Sequence, residues 1–220
     1  MARFTRKNAG NSHSYYLDGV RVPGVTTVIG ILDKPALVNW AAKQSASYAV
    51  ENWAELSDLP MMERASRIEK ARYATNRKAV VKGNRIHALG EKLAHHQPVE
   101  VPSEIRRQVE AYASFLDKWD METVATETPC CNTEYGYAGT FDLIVDSPLF
   151  GRSLMDIKTG SGVYSEVALQ LNAYANTDLR LVEVPQRGPR GGVLPSKWAE
   201  EPMPSGIDSL LVAHVLEDDV

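Results

Sequence analysis

The chain has 220 residues, 44% of them hydrophobic, with 24 basic and 28 acidic side chains and a net charge of −4. This is enough apolar content for a real core, as one domain or one domain with a helical appendage. The acidic balance argues against wholesale coating of nucleic acid, though a local basic patch is compatible with it, and no apolar run approaches the ~18 residues of a membrane helix.

The first residues, Met-Ala-Arg-Phe-Thr-Arg-Lys, lead into no apolar segment, so no signal peptide is expected. Residues 1–14 are polar and read as loose chain. Tyr15–Val22 reads as a small hairpin turning at Asp18-Gly19. A helix follows, with Thr26 or Thr27 as its cap, and Pro35 marks a break or the first turn of the next helix. Leu37–Trp53 has helical periodicity, and its tryptophans, Trp40 and Trp53, are expected in the core rather than stacked on bases.

Pro60 opens a long helical pattern reaching about His96. Its middle is basic. Lys78, Lys82 and Arg85 fall at i, i+4, i+7 and share a face, which is either a solvated surface or a phosphate-contacting stripe. Gly83 sits within this helix at a cost of about 1 kcal/mol relative to alanine, which suggests a close approach or a hinge. His87 and Glu91, at i and i+4, share a face; a lone helical histidine is more often a packing residue than a ligand.

A connector, 95–102, precedes an amphipathic helix from Ser103 to about Trp119, with Ile105, Val109, Tyr112 and Leu116 as its core positions. Glu122–Cys131 is strand-like, placing Thr123, Ala125 and Glu127 on one face. Its two cysteines, Cys130 and Cys131, are the only ones in the chain. Adjacent thiols make poor disulfide partners and are too few for a four-cysteine metal or iron–sulfur site. They read as small buried residues in a protein of the reducing cytoplasm.

Two further strands, Thr140–Val145 and Ser153–Lys158, flank the turn-forming Asp146-Ser-Pro-Leu-Phe-Gly151 and form an expected antiparallel hairpin. Period two sends Asp156 and Lys158 to one face and Met155 and Ile157 to the other, with Asp142 on the neighbouring strand. Two carboxylates beside a lysine on rigid strands suit a hard divalent cation such as Mg²⁺. A lone Asp-x-Lys, by itself, is more simply a salt-bridged pair on a solvated face. Glu166–Leu181 then reads as a helix carrying Gln170 and Tyr174 at i and i+4. The stretch from Pro185 to Pro204 reads as a loop rich in Pro, Gly and Arg, and Ile207–Val215 as a final strand.

Taken together, Gly83 with His87, Glu127, Gly139 with Asp142, Asp156 with Lys158, and Gln170 with Tyr174 occur in an order that resembles the PD-(D/E)XK nuclease superfamily, specifically its RecB-like and phage exonuclease branch. The resemblance covers about residues 80–215. It implies an α/β, restriction-endonuclease-like core in α-β-β-β-α-β order, a central mixed sheet flanked by helices over 79–220, with 1–78 as an N-terminal helical cap region. It implies Asp142 and Asp156 as the main ligands of Mg²⁺ or Mn²⁺, with His87 as a nitrogen ligand and the backbone carbonyl of Ile157 completing the set. Lys158 would orient the attacking water and stabilise developing charge, and Gln170 and Tyr174 would hold the site. Glu127 matches more loosely, as a ligand, a group supporting one, or an ordinary exposed glutamate.

The implied activity is metal-dependent hydrolysis of DNA phosphodiesters, in the manner of an exonuclease of recombination, repair or phage DNA processing. The implied partners are DNA ends or single strands, and a helicase or recombination protein or self-association, in the cytoplasm of a bacterium or phage-infected cell and away from membranes. Many CRISPR-associated members of the branch hold an iron–sulfur cluster on four cysteines, which this chain lacks. There is also no Gly-x-x-x-x-Gly-Lys-Ser/Thr phosphate loop. The alternative reading is a catalytically silent DNA-end-binding accessory module of the same fold; intact Asp142, Asp156 and Lys158 count against it.

Overall fold

The structure is a computed structural model. It describes residues 3–10, 12–95, 97–160, 162–187, 193–216 and 220, with the side chains of 74–76, 78, 79 and 193–195 outside the description. Among these residues no helix is long and apolar enough to cross a membrane. The chain forms two compact units, 1–31 with 86–220 in one and 32–85 in the other.

The larger unit is α/β. Its six-stranded mixed sheet comprises β4 (Glu122–Asn132), β5 (Tyr137–Ser147), β6 (Gly151–Lys158), β7 (Leu179–Arg187), β8 (Val193–Pro202) and β9 (Ser209–His214), in the spatial order β8-β7-β4-β5-β6-β9. The β6–β9 pair is parallel and the others are antiparallel. The central hairpin turns where expected. Gly151 takes φ 66°, and Arg152 closes the turn by donating to both oxygens of Asp146 at 2.8 Å.

Strand alternation distributes the core to two faces. On one side Met155 and Ile157 join Leu143 and Val145 against Ala94 of α4 (Met61–Ala94) and Tyr112 and Leu116 of α5 (Arg106–Lys118). On the other, Leu154 and Ile144 pack against Val25 of α1 (Val25–Ile29) and Val167, Leu171 and Tyr174 of α6 (Glu166–Ala175). The apolar stripe expected on α5 is buried at Ile105, Val109, Tyr112 and Leu116.

Several local expectations change. Residues 1–14 are not loose: β1 (Phe4–Ala9) pairs with β2 (Ser12–Leu17), and β2 with β3 (Val20–Val22) across Asp18-Gly19. Phe4, fully buried, shares a cluster with Tyr15, Leu17, Cys131 and Leu181, which seats this sheet on the central one. Residues 1–31 therefore belong with the core rather than to a helical region ending at 78. Gly24, not a threonine, precedes α1, and no side chain caps it.

The helix read over 166–181 stops at Ala175, because Leu181 is needed in the sheet. The stretch read as a loop from Pro185 contains most of the β7–β8 hairpin. Its prolines are tolerated because Pro185 falls at a register shift between Val184 and Gln186, and β8 is an edge strand.

The smaller unit holds α2 (Pro35–Glu51, with Pro35 in its first turn), α3 (Trp53–Ser57) and residues 61–85 of α4. Trp53 is exposed, not core, with the Arg64 guanidinium 5.5 Å above its ring. Arg64 also donates to the carbonyls of Leu56, Ser57 and Leu59, satisfying the end of α3. Arg67 pairs with Glu55 and Glu63.

Phe4→Ala is expected to cost about 3–5 kcal/mol, the usual penalty for emptying a buried aromatic site. Chemical denaturation measures it, and a change under about 1 kcal/mol would mean that the first strand is not part of the core.

Candidate metal centre

Three ligand-bearing side chains converge from three elements. His87 comes from the last two turns of α4, Glu127 from β4 and Asp142 from β5. One ligand atom from each lies within 4.8 Å of the other two. His87 Nδ1 stands 3.5 Å from Asp142 Oδ2 and 4.0 Å from Glu127 Oε1.

Local backbone explains the convergence. Thr126 pairs with Leu143 and Thr128 with Phe141, which brackets Glu127 against Asp142. Glu127 itself has φ 41°, an uncommon conformation for a side-chain-bearing residue. A register shift between Thr123 and Ala125 upstream breaks the simple alternation expected for this strand. Asp142 is fixed by the Ile157 N–H, which donates to its Oδ2 at 2.8 Å across the β5–β6 pair. On α4, Gly90 lets the helix approach closely: a Cβ there would meet the Tyr112 ring at 3.2 Å and the Ile157 side chain at 3.6 Å.

Beside the triad lies a second set. Asp156 is 2% exposed; its Oδ2 forms an ion pair with Lys158 Nζ, and its Oδ1 accepts a 3.1 Å bond from Gln170 Nε2. Gln170 also reaches the Tyr174 hydroxyl at 3.5 Å. The motif glycine has a specific reason to be glycine. A Cβ on Gly139 would lie 2.3 Å from Tyr174 Cε1, so the Tyr174 ring occupies the space a side chain would need.

The electrostatics are those of a crowded acidic site. Burial, then Asp142 and Glu91, push the Glu127 carboxyl up to about 7. Burial, then Asp142, raise the Asp156 carboxyl, while Lys158 and His87 pull it back. Such repulsion is relieved when a cation binds. One imidazole and two carboxylates form a donor set that could hold a divalent cation. The Tyr112 hydroxyl is consistent with this. It is buried, has no hydrogen-bond partner among the described residues, and feels the Asp142 charge.

All the expected site residues except Lys78, Lys82 and Arg85 belong to the larger unit. His87, Asp142 and the loosely matched Glu127 form the tight triad, whereas Asp156 is engaged by Lys158 and Gln170. The Lys78 side chain lies outside the described residues. Lys82 and Arg85 lie on the 61–85 part of α4, in the smaller unit. Sequence reasoning missed Tyr112 as a neighbour of the centre, because helical periodicity marks it only as core. It also missed Arg6, which lowers the Glu127 pKa from the N-terminal sheet.

Glu127→Gln tests the electrostatic strain. The folded carboxyl titrates near 7 against an ordinary 4.5. Its contribution to stability is therefore complete below about pH 4.5, declines as pH rises, and is lost above 7. The Glu127 side chain is 42% exposed, so solvent screening reduces the effect to the order of 1 kcal/mol. The variant is expected to melt above the parent at about pH 8 without metal and level with it near pH 4.5. Added Mn²⁺ at the higher pH is expected to stabilise the parent more than the variant.

No protein-family model matches the chain, and no curated protein matches it significantly.

Proposed function

We propose that the protein is a metal-dependent deoxyribonuclease of the PD-(D/E)XK kind, with a restriction-endonuclease-like core, that hydrolyses DNA phosphodiesters at ends or in single strands. The observation that carries the reading is the His87–Glu127–Asp142 triad standing beside an Asp156–Lys158 ion pair on adjacent strands. A purely structural salt bridge needs no imidazole and two further carboxylates gathered next to it.

In this reading His87, Glu127 and Asp142 hold Mg²⁺ or Mn²⁺, with Asp156 and the Ile157 carbonyl close by. When bound, the ion supplies Lewis-acid polarisation of the phosphodiester and offsets its charge. The reaction is an attack of water on phosphorus: a P–O bond to water forms, the P–O bond to the leaving sugar oxygen breaks, a proton of the water passes to solvent, and the leaving oxygen takes one from solvent to become a hydroxyl. Lys158 orients that water and stabilises the charge that grows on the phosphoryl oxygens. Asp156 holds Lys158 in position. Gln170 braces Asp156 from α6, and the Tyr174 ring, seated over Gly139, keeps Gln170 aligned.

The test is incubation with end-labelled linear and closed circular DNA in Mg²⁺, Mn²⁺ or EDTA. Release of nucleotides is expected with metal and not with EDTA. Asp156→Ala and Lys158→Ala are each expected to lower the rate by roughly a hundredfold or more, while circular dichroism stays unchanged. Full activity in either variant would end the mechanism. Tight DNA binding with no turnover under any metal would instead favour the silent end-binding module.

The basic face of α4 in the smaller unit is a second proposed contact for phosphates. Reversing Lys82 and Arg85 together is expected to weaken DNA binding and to reduce the slope of log affinity against log salt by about 1.8, near 0.9 for each phosphate no longer neutralised. An unchanged slope would make that face a solvated surface.

A further inference from the structure

A centre built mainly from carboxylates repels a phosphodiester unless cations line its approach. Lys158 is one such cation. Others come from the N-terminal sheet, the part of the chain that the nuclease motifs leave unassigned. Arg6 on β1 is close enough to act on Glu127; its Nε is buried without a hydrogen-bond partner among the described residues, and its Nη2 lies 3.5 Å from His13 Nδ1.

Between this sheet and α6 is a cavity of about 470 Å³, within the range of small-ligand sites. Its lining includes His13, Arg21, Thr26 and Thr27 on one side and Gln170 and Tyr174 on the other. Gln170 is the same side chain that donates to Asp156, so the cavity opens beside the proposed catalytic groups. Arg21 forms no hydrogen bond or ion pair with any described residue through its side chain.

The walls are fixed to the strand that carries Asp142. The hydroxyls of Tyr15 and Thr140 are hydrogen-bonded at 2.7 Å. The Ala138 N–H donates to the Pro23 carbonyl at 3.0 Å, and Gly24 bridges Ala138. Val25 lies in the same buried cluster as Tyr174. The His13 ring is exposed and is supported edge-on by Tyr15, with ring centroids 5.0 Å apart.

We propose that this cavity is a subsite for one nucleotide of the strand being cleaved, its phosphate facing Arg21 and its base lying against the His13 ring. The combination suits that ligand. Guanidinium groups recognise phosphate oxygens by paired hydrogen bonds, hydroxyls complement the sugar-phosphate backbone, and an aromatic face accepts any base. The inference extends the nuclease reading and rests on it for the identity of the strand.

Binding is measured in EDTA, where no cleavage is needed, by titrating the full chain with 5′-phosphorylated pentathymidylate and, separately, with thymidine monophosphate. The pentanucleotide is expected to bind more tightly than the mononucleotide. Arg21→Glu is expected to weaken it by about tenfold or more with an unchanged melting temperature, and His13→Ala by a smaller factor. Lys118→Glu, on the outer surface of α5, is expected to change nothing.

An unchanged affinity in Arg21→Glu overturns the subsite, as does equal weakening by Lys118→Glu. Equal binding of the two probes replaces the strand subsite with a site for free nucleotide and also overturns it. Because the readout needs no turnover, Arg21-dependent binding by a protein that never cleaves DNA would separate failure of the nuclease reading from failure of the subsite.

Discussion

One carboxylate oxygen ties the site together. Asp142 Oδ2 accepts the Ile157 N–H at 2.8 Å and stands 3.5 Å from His87 Nδ1. Through it the two strands of the central hairpin and the end of a helix share one point. The carboxylate is on a strand buried between helices on both faces, so it has little freedom to move away from its acidic neighbours. Burial first, and the nearby Asp142 charge second, raise the carboxyl pKa values of Glu127 and Asp156. Electrostatic strain of this kind is tolerated when packing elsewhere supports it, and it is released by a cation.

The packing that supports it is organised around close approaches. Gly90 brings α4 onto Tyr112 and Ile157, which aims His87 at the strands. Gly139 admits the Tyr174 ring, which sets α6 at the distance where Gln170 reaches Asp156. A methyl group at Gly139 would collide with the Tyr174 ring, and one at Gly90 would press on the Tyr112 ring across the other face of the sheet. The two glycines are therefore part of the geometry that brings the acids, His87 and Lys158 together.

Much of this was legible in the chain. Period two separated Asp156 and Lys158 from Met155 and Ile157, and helical periodicity picked out Ile105, Val109, Tyr112 and Leu116, because both signals depend only on local geometry and burial. What could not be read depended on tertiary context. The polar composition of residues 1–14 hid Phe4, whose burial comes from strands far along the chain. Proline content disguised β7 and β8 as a loop, since a bulge and an edge position are properties of the sheet and not of the segment. Glu127 matched the motif order only loosely, and its sequence left open whether it was a ligand, a group supporting one or an ordinary exposed glutamate. Its place in the triad rests on a positive φ and a register that no window of sequence reveals.

The paired cysteines carry a practical consequence. Cys130 and Cys131 are both fully buried, and burial pushes each thiol up to about 12. Neither presents a thiolate to an electrophile at neutral pH, and the chain has no others. A single cysteine placed on an outer surface would thus be the one group that maleimide reagents find in the folded protein. Fluorophores or spin labels can be attached there without first stripping the native sulfurs from the sheet.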